Sequence, residues 1–209
     1  MNATSTSVGS STNIYNGPAF WERLWRTSGI GFVAFALVAY ALYVTHTHVM
    51  LAAVISGMAV LNLLWFAAAL RTTLADAGRD GWGAAVTTSS TAVGVMFFVL
   101  IALVAALERT SGLSGLAWPT VVLSSFPRAM LIMSGSFGLW RAGLFSNAQF
   151  GVGVAALVLV LLGGTTWMDD GFWSSAGAYS RFVSPLIGVL WILGASRVLV
   201  KSPATRTGW

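Results

Sequence analysis

Cysteine is absent from the chain, and with it disulfides, thiolate metal sites, iron–sulfur clusters and thiol redox chemistry. Lysine occurs once, as Lys201 beyond the last apolar block, so no lysine lies deep enough to carry a retinal Schiff base. Histidine occurs twice, at His46 and His48 between two apolar blocks, where it cannot hold a haem inside a bundle. No Ser/His/Asp order, H-E-x-x-H or phosphate loop occurs, and no cofactor is expected. Charge itself is scarce: 8% of the residues are Asp, Glu, Lys or Arg, against about 25% in an ordinary soluble domain. A soluble fold could not keep its surface wet with so few charges. The basic residues stand singly at block ends without a Lys/Arg run, so the net charge of +5 points to membrane orientation and not to nucleic acid.

What the chain has in abundance is long apolar runs. Six blocks are long enough to cross a hydrocarbon core of about 30 Å as helices. The reading is an all-α integral membrane protein, a compact bundle of six transmembrane helices. Residues 1–17 are small, polar and uncharged and read as a disordered tail. Residues 18–27 place Phe20, Trp21, Leu24 and Trp25 on one face and read as an interfacial amphipathic segment. The transmembrane domain covers 28–201, and 202–209 form a short cytoplasmic tail. The spans fall at 28–45, 49–70, 85–107, a fourth block, 149–167 and 179–200. Ten tryptophans, several near block ends, suit the aromatic belts of a bilayer.

The fourth block admits two helices. One from 118 to 144 carries Pro127 and Arg128 inside the bilayer; one from 127 to 145 puts Pro127 in its first turn and Arg128 at the interface. A charge at the bilayer centre costs about 2.5–3.5 kcal/mol. That cost favours the shorter helix, with 113–126 as an outer loop.

Orientation follows from the cations. Arg23, Arg26, Arg71, Arg79, Arg141, Arg197, Lys201 and Arg206 fall on one side, against Arg109, Arg128 and Arg181 on the other. Both termini are therefore expected inside, in a bacterial inner (plasma) membrane. In size and topology alone, six spans with short loops resemble the small substrate-binding subunits of vitamin uptake systems.

The outer face is the candidate site. Its densest part, 163–181, sets Asp169 and Asp170 among Trp167, Phe172, Trp173 and Tyr179, with Arg181 at its end. Carboxylates beside aromatic rings suit a cationic or amine ligand. A ligand-binding set of Asp169, Asp170, Arg181, Arg128, Trp167 and Trp173 follows, with Asp170 or Glu108 as a partner for Arg128 should it lie deep. His46 and His48 are weak metal candidates, because zinc needs three or four protein ligands and the others would have to come from distant loops. Ser90/Gly94, Ser134/Gly138 and Ser184/Gly188 are small-xxx-small pairs suited to close helix packing.

Without a reactive constellation, the leading expectation is a non-enzymatic accessory or structural subunit. Its partners would be the bilayer and other membrane subunits, or further copies of itself. The alternative is a small-molecule transporter or ligand-binding subunit with its site on the extracytoplasmic face. An intramembrane enzyme using Asp169, Asp170 and a histidine ranks third.

Overall fold

The computed structural model describes residues 18–45, 48–107 and 114–201. They form helices α1 (Pro18–Val44), α2 (Val49–Asp76), α3 (Asp80–Leu107), α4 (Ser114–Leu123), α5 (Ser125–Arg141), α6 (Asn147–Gly163) and α7 (Ser184–Lys201). One π-helical turn, Tyr179–Val183, leads into α7. The expected tail at 1–17, His46, Glu108, Arg109 and the tail at 202–209 lie outside the described residues.

The chain is a multi-pass, all-α membrane bundle. Five stretches are long and apolar enough to span a bilayer: Leu24–Tyr43, Met50–Asp76, Asp80–Ala106, Leu116–Arg141 and Tyr179–Lys201. The sixth, α6, has 17 residues and measures about 25 Å. It stops at Gly163, short of the expected 167, where the Gly164 N–H closes on Leu161 O, Thr165 on Leu162 O and the Thr166 hydroxyl on Gly163 O. At its start, Ser146 Oγ accepts the Gln149 N–H while Gln149 Oε1 accepts the Ser146 N–H, a reciprocal cap. Residues 18–27 are the opening turns of α1, continuous with the first span.

The helices close into a ring, α1–α2–α3–α5–α6–α7, with α7 returning to α1. Arg26 near the start of α1 donates to the Leu199 carbonyl near the end of α7. The start of α1 and the end of α7 therefore lie at one pole, called the terminal pole, with the 77–79 and 142–146 turns. The end of α1, the start of α2 and the 164–178 loop lie at the opposite, loop pole. Large apolar side chains such as Met50, Val54, Leu61, Phe98, Val152 and Leu190 stand exposed on the outer surface, as lipid contact requires.

The two poles differ in packing. Toward the terminal pole, α2 turns Leu63, Phe66, Leu70 and Leu74 fully inward at helical spacing. Small residues let the neighbours approach: a Cβ on Gly135 would meet the Trp191 ring and Leu70, and one on Gly138 would meet Leu74 and Trp82. Trp191 Nε1 donates to Ser136 Oγ at 2.9 Å, and Gly153 of α6 presses on the same serine. Ser90 and Ser134 are fully buried, and Gly94 faces Val60. The Ser90/Gly94 and Ser134/Gly138 pairs thus serve packing within this chain. An aromatic run Trp82–Phe137–Phe150–Trp140 ties α3, α5 and α6 near the same pole.

The turn between α2 and α3 is shorter than the sequence implied. Both helices extend into 71–82, leaving 77–79, with Gly78 at φ 70. Arg71 and Asp80 form an ion pair at 3.5 Å, both well exposed. Such pairs are worth about 0–1 kcal/mol, so Arg71→Ala is expected to leave the melting temperature of the purified protein within about 3 °C of the parent.

The fourth span corrects the favoured expectation. Residues 113–126 are not an outer loop: α4 occupies most of them and passes through Ser124 directly into α5. The combined stretch Leu116–Arg141 has 26 residues, with Arg128 near its middle. Pro127 is still in a first turn, that of α5, where its missing N–H leaves the Leu123 carbonyl free and breaks the helix. Arg128 exploits this break. Its Nε donates to Ser124 O (3.1 Å), and its Nη2 to Val121 O (3.3 Å) and Ser125 Oγ (3.0 Å). The negative carbonyl end of α4 supplies what the insertion cost alone did not foresee.

Candidate site: an intramembrane cavity at the loop pole

Between α1, α2, α3, α4, α5 and α7 lies a cavity of about 410 Å³. Small-molecule sites typically measure about 300–1,000 Å³. Its floor is apolar, made by Phe32, Leu63, Ile132 and Trp191 at mid-bundle. Its upper wall carries the polar groups: Tyr40, Tyr43, Ser124, Arg128, Ser180 and Arg181. From Phe32 to Tyr43 the wall rises about 16 Å along α1.

Two proline-linked irregularities aim the cations into this space. The first is the break at Ser124 that places Arg128. The second is the π-helical turn before α7. Pro185 has no N–H for the Arg181 carbonyl, so the preceding turn widens, and the Ser184 N–H reaches back to Tyr179 O. Arg181 then lies over the Trp118 ring of α4, 4.5 Å from its centroid. Ser180 Oγ shares a 2.6 Å hydrogen bond with Thr166 Oγ1. The Tyr179 hydroxyl donates to Leu159 O at 2.7 Å, pinning the turn to α6.

The candidate residues of the 163–181 segment separate into groups. Arg128 and Arg181 share the cavity wall. Asp169 and Asp170 are exposed on the loop, and neither pairs with Arg128, Arg181 or any other described residue. Trp167 stands 53% exposed, with its Nε1 donating to Gly164 O. Trp173 packs against Tyr179 at 4.5 Å between centroids, supporting the loop from beneath. The carboxylates and the arginines therefore do not form one constellation. His48 is exposed before α2 and makes no side-chain cap; among the described residues no group of three or more potential metal ligands forms.

Trp118, Tyr40, Tyr43, Ser124 and Ser180 escape a reading of the sequence. Trp118 looks like an interface anchor until Arg181 is brought over it from the far end of the chain. The one available signal was Arg128 itself, a lone cation inside an apolar block.

Compared with models of known protein families, with curated proteins and with solved structures, the chain matches none.

Proposed function

We propose that this chain is a ligand-binding membrane protein of the uptake or transport type, whose site is the cavity at the loop pole. The observation that carries this reading is the cavity: a drug-sized, largely apolar space with two arginines on its polar wall. Arg128, inside a span and without an acid partner among the described residues, is the kind of intramembrane cation that marks ligand or ion pathways. The cation count further supports an orientation with both termini inside a bacterial inner membrane and the cavity mouth outside. The accessory-subunit reading loses one of its motives, since two of the small-residue pairs are spent on contacts within the chain.

Because no native cysteine competes, single cysteines provide the test. A membrane-impermeant sulfonate thiol reagent is expected to label the cavity-lining Tyr43→Cys and Arg181→Cys from the outside of intact cells, as it labels Asp170→Cys on the loop. Arg79→Cys should react only after lysis, and lipid-facing Leu159→Cys should not react. If the cavity cysteines stay unlabelled and the protein purifies as a stable complex with other membrane chains, the accessory reading replaces this one.

A further inference from the structure

Resting on the reading of the cavity as a ligand site, we infer that its ligand is a single-chain amphiphile with an anionic carboxylate or phosphate head, held between Arg128 and Arg181. Three observations converge on this assignment.

First, among the described residues the cavity lining contains two guanidinium groups and neither Asp nor Glu. Each guanidinium offers five N–H donors in a planar fork suited to carboxylate and phosphate oxygens. Arg128 uses Nε and Nη2 on its own helix break, and its Nη1 makes no hydrogen bond among the described residues. The Arg181 guanidinium makes none among them either, only the ring contact with Trp118. Donors therefore remain on both.

Second, the two cations are anchored to one face of α4. Arg181 rests on Trp118, while Arg128 binds Val121 and Ser124. Val121 and Ser124 lie three and six residues beyond Trp118, about 5 and 9 Å along the axis. The ring contact and the carbonyl bonds hold both guanidiniums on the cavity wall before a ligand arrives.

Third, the rest of the space is apolar and deep. Below the arginines it is walled by residues such as Ala59, Leu63, Val93, Leu100 and Ile132, down to the Trp191 ring. A volume of about 410 Å³ accepts one alkyl chain and is too small for a two-chain lipid. Head at the loop pole and tail toward mid-bundle is the orientation that matches polar to polar and apolar to apolar. An amine ligand, which the loop carboxylates alone suggested, would meet two like charges here.

The test uses the full chain in nonionic detergent, with native mass spectrometry and thermal shift as readouts. The probes are dodecanoate, dodecyl phosphate, dodecanol and dodecyltrimethylammonium. Dodecanoate, dodecyl phosphate or both should bind about tenfold or more tightly than dodecanol, and the ammonium probe least. Which of the two anions binds better distinguishes a carboxylate from a phosphate head. Arg128→Gln and Arg181→Gln should each lose about tenfold for the anions and retain dodecanol binding, which also reports that the variants are folded. Arg181→Lys should recover part of the loss. Equal binding of all four probes, or undiminished anion binding in both glutamine variants, would overturn the anionic assignment while leaving the cavity as a ligand site. Failure of every probe to bind would sink both readings together.

Discussion

Gly135→Val is expected to lower the melting temperature of the purified protein by about 5–12 °C, or to prevent its accumulation as a monodisperse species. Gly135 sits in α5 under the Trp191 ring, and an added Cβ would lie 2.5 and 2.7 Å from two ring carbons. The ring has little freedom to yield. Its Nε1 is bonded to Ser136, and its plane stands edge-on to Phe66 with centroids 6.4 Å apart. Overpacking of this kind costs about 1–3 kcal/mol, and in a chain of this size each kcal/mol moves the midpoint by about 2–4 °C. Gly151→Ala supplies the control. No atom lies within 4 Å of its Cβ position, and alanine favours a helix over glycine by about 0.5–1 kcal/mol. Its midpoint should hold or rise. Thermal unfolding followed by circular dichroism in detergent checks both, and a parent-like Gly135→Val would mean that α5 and α7 are not packed through this contact.

Gly177→Ala should act elsewhere and differently, by opening the loop at the cavity mouth while the bundle stays folded. The Cβ position at 177 collides with the backbone carbonyls of Gly171 and Phe172. Backbone cannot swing aside as a side chain can, so the 164–178 loop has to refold around the change. That loop carries Thr166, which holds Ser180, and Trp173, which packs on Tyr179. Displacing it loosens the π-helical turn that directs Arg181 over Trp118. Limited proteolysis should cut the variant near 170 at least tenfold faster than the parent, with the helical circular dichroism signal unchanged. Binding of an anionic amphiphile should weaken in parallel. Equal proteolysis rates would show that the loop does not depend on the close approach at Gly177.

Pro185 and Pro127 illustrate how local chemistry and tertiary placement combine at this site. Each removes one N–H from a helix that must satisfy its own backbone inside a bilayer, and the helix is irregular at each. At Pro185 the turn widens to a π-helical step. At Pro127 the chain breaks at Ser124 and an arginine covers carbonyls beside the break. Reading the sequence found the proline and weighed the cost of Arg128 in the bilayer, but it priced the charge as if unaccompanied. The carbonyl partners lie four and seven residues away along the same chain, on the helix that precedes the proline.

Composition and block length by themselves determined the class of this protein. With 8% charge and runs of apolar residues long enough to cross a bilayer, a membrane bundle of helices is the arrangement that satisfies both surface and backbone. The absence of cysteine by itself excluded disulfides and thiolate chemistry. The site was decided by tertiary structure alone. Asp169 and Asp170 sit close to Arg181 in sequence yet stay on an exposed loop, while Arg128 and Arg181, far apart in sequence, line one cavity. Side chains on a helix point where its phase and its breaks send them, and helices return to each other through loops of any length. Nearness along the chain therefore carries little information about which charges share a cavity.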